Sequence, residues 1–315
     1  MLVVVFLVGC GEKSKPSSNP GMDIKDDAAF QLVILGTVQD AGSPHVGCEK
    51  ECCSNLSLEE KGRRRVSCIG LFDRVEQKTF LFDATPDIVA QINGMNAQLS
   101  LSNKQLPDGI FLTHAHIGHY TGLMFLGRES VNASKVPVYA MPRMFEFLKS
   151  NGPWSQLVDL QNIELKLLRS DSLIKITKGL SVTPIVVPHR DEFSETVGYI
   201  IAAPNKKVLF IPDIDKWMKW NRDITDYVKL VDYAFIDATF YGPNEVKRSM
   251  NEIPHPFVVE SMAMFESLPD TEKAKIHFIH LNHTNPLLNS NSEEYKEVIS
   301  KGFHVARIEQ VFDLE

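Results

Sequence analysis

Three histidines lie within six residues of the chain, at His114, His116 and His119, directly after a short apolar run at 109–113. Such a run is typical of a buried strand. The combination constrains the fold strongly, because functional side chains of neighbouring strands converge where the strands end. Ten histidines among 315 residues would give this spacing by chance in about one chain in a hundred. The loop therefore predicts a metal site at one edge of a sheet.

Further candidate ligands follow other predicted strands. His189, Asp213 and His283 each come soon after an apolar run. Imidazole and carboxylate are common ligands of Zn²⁺, and a catalytic zinc keeps one coordination position open for water. The metal lowers the pKa of that water to about 7, which generates hydroxide at neutral pH. These residue types at strand ends predict a hydrolytic metal site, with Asp213 and His283 as catalytic residues.

Apolar, β-branched runs recur along the chain and predict strands at 31–36, 67–72, 79–83, 109–113, 136–140, 180–187, 197–202, 207–211, 233–236 and 275–281. Helices are predicted at 86–93, 143–150, 256–267 and 293–301. Many short strands mixed with amphipathic helices favour an α/β (α+β) fold, with two sheets sandwiched between helices. No internal repeat or long linker interrupts residues 30–315, so we expect one domain there.

The loop 113–119, followed downstream by a His, an Asp and a last His, resembles the His-x-His-x-Asp-His signature of the metallo-β-lactamase superfamily. The resemblance implies an αββα sandwich with two mixed sheets, and a metal-dependent hydrolase. It also implies the ligands of two metals: His114, His116 and His189 for the first, His119 and His283 for the second, with Asp213 bridging. Asp83 matches a strand-end aspartate of the superfamily that orients a ligand histidine.

One position departs from the signature. Gly118 stands where the superfamily carries an aspartate that binds the second metal, and glycine offers no side chain. The alternatives are a single catalytic metal, or a second metal held by His119, His283, Asp213 and water.

Five segments, at 36–42, 83–87, 235–240, 251–254 and 280–286, resemble the coenzyme PQQ synthesis protein B family, and the resemblance runs from about residue 31 to 315. That family carries Asn-Thr-Asn-Pro where this chain has His283-Thr-Asn-Pro. We therefore expect a relative with a more complete hydrolase site. The resemblance also implies an alternative role in PQQ biosynthesis, either as a carrier of the product or in an oxidative step on a tyrosine-derived precursor.

Cys48, Cys52 and Cys53 lie within six residues. Three thiols so close together predict a structural Zn²⁺ site, with His255 or His45 as the fourth ligand. Related phosphodiesterases of phosphonate metabolism carry a structural zinc on a similar cysteine loop. The alternative is disulfide formation, which an oxidising compartment would permit.

The N-terminus carries an apolar run at 2–8 that ends in Leu-Val-Gly-Cys. It resembles a bacterial lipoprotein signal spanning residues 1–10, in which Cys10 is lipidated, and the polar residues 11–29 then form a flexible tether. This resemblance implies a cell-envelope protein that contacts the membrane only through its lipid anchor. Without a signal, the protein would be cytoplasmic.

The charge balance narrows the function further. A net charge of −7 argues against nucleic acid as a partner, because phosphate neutralisation needs a basic surface. The leading hypothesis is a hydrolase using Zn²⁺, or else iron or manganese, on a small ester or phosphodiester. The alternatives are the PQQ-related role and a non-catalytic lipoprotein that binds a small molecule, which the glycine at 118 suggests.

Overall fold

The computed structural model describes residues 28–101, 106–245 and 253–315. The strands are β1 (Phe30–Gly36), β2 (Cys68–Asp73), β3 (Lys78–Phe82), β4 (Gly109–Phe111), β5 (Val136–Ala140), β6 (Ile163–Leu167), β7 (Ile174–Lys175), β8 (Ser181–Val186), β9 (Val197–Ala202), β10 (Lys207–Ile211), β11 (Tyr233–Asp237), β12 (Ile276–Ile279), β13 (His304–Val305) and β14 (Val311–Asp313). The helices are α1 (Glu51–Ser54), α2 (Leu58–Arg63), α3 (Ile88–Gln98), α4 (Ile117–Tyr120), α5 (Pro142–Ser150), α6 (Trp154–Asp159), α7 (Ile224–Leu230), α8 (Val258–Met264), α9 (Asp270–Lys273) and α10 (Glu293–Ser300).

Two seven-stranded sheets organise the molecule. The first sheet has the order β14-β1-β2-β3-β4-β5-β6, and the second has the order β13-β12-β11-β10-β9-β8-β7. Both sheets are mixed, since β3 to β6 run parallel and β1 pairs antiparallel with β2. In the second sheet β10 to β13 are parallel while β8 and β9 are antiparallel. The predicted two-sheet architecture is therefore confirmed.

The apolar core consists of three layers. The central layer lies between the sheets, where Phe82 and Phe111 of the first sheet meet Tyr199 of the second edge to face. The other two layers lie between each sheet and its helices, and they include Met144 of α5 and Met262 of α8. Two sheets face each other inside two helical layers, so both faces of each sheet are covered. This explains why most strands are apolar without alternation.

The functional loops lie at one edge of this sandwich because the parallel strands β10, β11 and β12 all end there. Residues 37–39, just after β1, connect the two sheets at the same edge. The amide of Leu281 donates to the carbonyl of Thr37 at 2.8 Å, and the amide of Gln39 donates to the carbonyl of Leu281 at 2.9 Å. Loops from both sheets are thereby held against each other.

The predicted signal segment, with Cys10, lies outside the described residues. Two residues of the predicted tether are described, and Ala28 is buried, with its carbonyl accepting from Arg74 at 3.3 Å. No helix among the residues in these three ranges is long and apolar enough to cross a membrane.

Side chains of the central layer should contribute strongly to the stability of the domain. Phe210 is 0% exposed there, so Phe210→Ala should lower the free energy of unfolding by about 3–5 kcal/mol through lost burial and a residual cavity. Met218 is 91% exposed, and Met218→Ala should change the free energy of unfolding by less than about 0.5 kcal/mol. Urea unfolding of both variants checks the contrast, and equal losses would contradict the assigned core.

Candidate metal centres

The first cluster of possible ligands contains four of the predicted residues. His114 and His116 follow β4, His189 follows β8 and Asp213 follows β10, and each offers a ligand atom within 4.8 Å of the others. The Nε2 atoms of His114 and His189 lie 3.3 and 3.2 Å from the two carboxylate oxygens of Asp213. Ligands of a tetrahedral zinc lie about 3.3 Å apart when each bond is about 2.0–2.1 Å. The predicted first set is therefore together, with His114 and His189 at zinc-like spacing from Asp213 and His116 within 4.8 Å.

The second cluster contains His119, Asp213 and His280. The Nε2 atoms of His119 and His280 lie 3.9 and 4.0 Å from Oδ2 of Asp213, so this cluster is wider than the first. Asp213 belongs to both clusters, as predicted for a bridging residue. His283 does not lie here, and the prediction that it joins His119 is wrong.

The local backbone explains the exchange of His283 for His280. The predicted strand 275–281 ends at Ile279, and His280 has a φ of +67°, a left-handed conformation that is uncommon for a residue with a side chain. The alternation of side chains along the strand therefore stops one residue before His280. His280 turns to Asp213, while His283 lies in a different cluster. The sequence gives His280 no role as a ligand, and the structure places it in this group.

Buried atoms without partners test whether this centre fits a metal. Six side-chain atoms here are buried with no hydrogen-bond partner: Nε2 of His114, His119 and His280, both ring nitrogens of His189, and Oδ1 of Asp213. Leaving one buried polar atom unsatisfied costs about 1–3 kcal/mol. Six of them would together cost about 6–18 kcal/mol, which is comparable to the whole stability of a typical domain. Divalent metals satisfy such atoms, so the donor set fits them.

Asp83 fixes the histidine loop 113–119 through hydrogen bonds on the side away from Asp213. Its carboxylate is fully buried and accepts from the amide of Thr113 at 2.8 Å and from Nδ1 of His119 at 2.7 Å. The hydroxyl of Thr113 lies 3.0 Å from Nδ1 of His114. These contacts engage Nδ1 and leave Nε2 of both rings facing Asp213. The expected supporting position of Asp83 matches this geometry.

Charges around His119 offset the effect of its burial. Burial alone would lower the pKa of His119, but the carboxylates of Asp83, Asp40 and Asp213 outweigh it and raise the pKa to about 9. Burial would likewise raise the pKa of Asp213, but the imidazoles of His189, His255 and His280 hold it well below its usual value. The centre is thus built from buried charges that compensate one another.

An equivalent support stands behind His280. The carboxylate of Asp237 accepts from the hydroxyl of Thr239 at 2.7 Å and lies 2.9 Å from Nδ1 of His255. The hydroxyl of Thr239 is in turn 2.9 Å from Nδ1 of His280. Sequence reasoning gave no role to Asp237. Its position at the end of the buried strand β11, two residues before a threonine, was the available signal.

The cysteine cluster has a different fourth member from the one predicted. Sγ of Cys48 lies 3.9 Å from Sγ of Cys52, and Nδ1 of His283 lies 3.7 Å from Sγ of Cys52 and 3.4 Å from Sγ of Cys53. For zinc bonds of about 2.3 Å to sulfur and 2.0–2.1 Å to nitrogen, tetrahedral geometry gives about 3.8 Å between sulfurs and about 3.6 Å between sulfur and nitrogen. The spacings fit a Cys₃His zinc site.

His255 and His45 were the expected fourth ligands of that cluster. His255 instead lies 3.2 Å from Oδ1 of Asp213 through Nδ1, so its predicted place with the cysteines is wrong. His45 stacks on His283 with ring centroids 4.6 Å apart and supports that ring from outside the cluster. All four cysteines in the described part of the chain are free thiols, Cys68 being fully buried elsewhere.

A cleft of about 670 Å³ opens between the two centres. His255 forms its wall on the Asp213 side and His283 on the cysteine side. Lys50 and Arg190 also line the cleft, together with Glu245. A small molecule in the cleft would therefore meet the edge of the Asp213 centre and two cationic side chains.

The fold and these centres define a class. The profile of the beta-lactamase superfamily domain matches residues 78–280, and the chain belongs to that family. Among curated proteins, the chain is 26% identical to coenzyme PQQ synthesis protein B of Methylorubrum extorquens (strain PA1), over 90% of this chain and all of that protein. It is 24% identical to the protein of the same name from Gluconobacter oxydans (strain 621H), over 91% of this chain and 99% of that protein.

Two solved structures share the fold. One is Zn²⁺-bound PqqB from Methylobacterium extorquens, with a TM-score of 0.73 and 22% identity over 90% of this chain and 100% of that chain. The other is a diphosphatase from the PhnP family, with a TM-score of 0.63 and 22% identity over 90% of this chain and 96% of that chain. The expected similarity to protein B of PQQ synthesis is confirmed.

The placement of His283 yields a test by metal counting. His283→Ala should release one zinc per chain and lower the melting temperature, because a structural zinc contributes directly to folding stability. His45→Ala removes the neighbouring ring but no member of the cluster, and it should keep the full zinc content. Elemental analysis of the purified variants gives both counts. Equal zinc in wild type and His283→Ala would contradict this position.

Proposed function

We propose that the chain is a metal-dependent hydrolase acting on a small ester or phosphodiester. The observation that carries the proposal is the group of six buried, partnerless side-chain atoms around Asp213. Three of the side chains involved, those of His114, His189 and Asp213, form a possible metal-ligand group together with His116. Burying these polar atoms so close together is costly unless a partner satisfies them, and a cation is a partner that would satisfy both the imidazoles and the carboxylate. Membership of the beta-lactamase superfamily supports the same conclusion.

His114, His116, His189 and Asp213 would hold the catalytic metal. A divalent metal there would lower the pKa of a water molecule and polarise an ester oxygen. The protein supplies the rest: Asp83 and Thr113 fix the imidazoles, and the acceptor-only carboxylate of Asp213 would orient the attacking water. Lys50 and Arg190 line the cleft and would favour a substrate with negative charge, as a phosphodiester has.

A role in PQQ synthesis is the second candidate, favoured by the similarity to proteins of that name. The structure weakens one argument from the sequence against a role in PQQ synthesis. His283 had been expected to complete a hydrolase site absent from that family, but it lies with the cysteines instead. The hydrolase proposal therefore rests on the loop histidines and on His189, with no support from His283.

The hydrolase proposal predicts a metal-dependent activity that one histidine controls. His116→Ala should lower kcat/KM for a chromogenic phosphodiester, such as bis(p-nitrophenyl) phosphate, by at least about 100-fold, because it removes a metal ligand. Chelation should abolish the wild-type activity, and Zn²⁺ or Mn²⁺ should restore it. His304→Ala, on β13 and outside both centres, should retain full activity.

The substrate panel should also contain carboxylic esters and lactones, so that the reaction class is tested as well as one compound. Metal-loaded wild-type protein that hydrolyses none of them would contradict the proposal. In that case, conversion of a PQQ precursor by the iron-loaded protein would favour the second candidate.

A further inference from the structure

Gly118 and Asp40 occupy one another's space in the histidine loop. A Cβ atom placed on Gly118 would lie 2.0 Å from Cβ of Asp40 and 2.4 Å from its Cα. These distances are far inside van der Waals contact, so no side chain at 118 is compatible with the observed position of Asp40. The volume that a side chain at 118 would fill is therefore taken by an aspartate from a different loop.

The backbone around Asp40 is firmly held. The amide of Val38 donates to the carbonyl of Arg65, the amide of Gln39 donates to Leu281, and the amide of Gly42 closes a turn onto Gln39, all at 2.9–3.0 Å. Gln39 and Ala41 line the cleft, whereas Asp40 between them faces Gly118. Asp40 thus approaches the loop because the bridge between the two sheets directs it there.

Asp40 thus lies directly beside the second cluster in the chain's fold. It is half-buried, and its Cβ lies 2.0 Å from the place where the Cβ of a side chain at position 118 would stand, next to His119.

The second cluster needs one more ligand. His119, His280 and Asp213 provide three atoms, and both histidines point an unpartnered, buried Nε2 into the shared space. Once bound to a metal, both imidazoles would be deprotonated and neutral. The one bridging carboxylate would be shared with the first metal, so this set would supply little negative charge to a second dication. A further carboxylate would supply both a ligand and the missing negative charge.

We infer that Asp40 is the carboxylate ligand of a second metal, which it binds together with His119, His280 and Asp213 from the face left open by Gly118. This inference rests on the proposed hydrolase centre and extends it from one metal to two. Asp40 lies outside the histidine loop, so its role as a ligand follows from its contact with Gly118 in the fold and not from the spacing of a sequence motif. Asp40 can take this position only because residue 118 is a glycine and has no side chain.

The test is the affinity for the second catalytic metal, measured on purified full-length protein without reference to activity. Mn²⁺ is titrated into protein stripped of its catalytic metals but retaining zinc at the cysteine cluster. In Asp40→Ala and Asp40→Asn, the second Mn²⁺ equivalent should bind at least about 10–100-fold more weakly than in wild type, while the first equivalent is unchanged. Electron paramagnetic resonance should show a coupled pair in wild type and isolated Mn²⁺ in the variants.

Glu49→Gln is the matched control, because Glu49 is an exposed carboxylate nine residues further along the same loop. It should retain the coupled pair. Circular dichroism identifies any variant that fails to fold, and the isosteric Asp40→Asn keeps the test valid if Asp40→Ala does not. Unchanged binding of the second Mn²⁺ in folded Asp40 variants would overturn the inference.

The binding data also separate this inference from the proposed function. Wild-type protein that binds one catalytic metal, and never a coupled pair, would overturn the role of Asp40 and leave the hydrolase proposal intact. Wild-type protein that binds metal only at the cysteine cluster would overturn both. A coupled pair lost specifically on substitution of Asp40 would support both.

Discussion

The carboxylate of Asp213 is the interaction on which the rest of the site depends. It is 2% exposed and lies within 4.0 Å of ring nitrogens of His114, His119, His189, His255 and His280. It belongs to every group of possible metal ligands at this centre. A buried charge is tolerated only when it is paired. The surrounding imidazoles compensate it in part, and a cation would complete the compensation. The histidine loop and the strand ends are therefore organised around one negative charge.

Two aspartate–threonine pairs keep that arrangement in place from opposite sheets. Asp83 with Thr113 engages the Nδ1 atoms of the first loop, and Asp237 with Thr239 does the same for His255 and His280. Asp83 has a φ of +73° and His280 a φ of +67°, so each sheet turns sharply into the left-handed region where its strand ends. Strain of this kind persists only where surrounding contacts fix it, and it orients the side chains toward the gap between the sheets.

The sequence predicted what local patterns determine. Apolar runs located most strands. Because functional residues converge where strands end, the sequence also grouped the loop 114–119 with His189 and Asp213. The placement of His283 could not be predicted in this way, because a left-handed turn at His280 changes which side each later residue faces, and the alternation of side chains along a strand does not describe such a turn. The contact of His255 with Asp213 joins segments that are distant in sequence, so local spacing does not reveal it either. The position of Asp40 could not be predicted either. Its approach to Gly118 depends on contacts between segments that are distant in sequence, and local residue spacing does not record such contacts.

The central claim is that Asp213 and His283 belong to two separate metal centres. Anomalous X-ray diffraction from crystals of the metal-loaded protein tests it directly, because it locates each ion and its ligands. The account predicts density bound by Cys48, Cys52, Cys53 and His283, and separate density against Asp213 with the loop histidines. No ion against Asp213, or an ion bound jointly by Asp213 and His283, would contradict it.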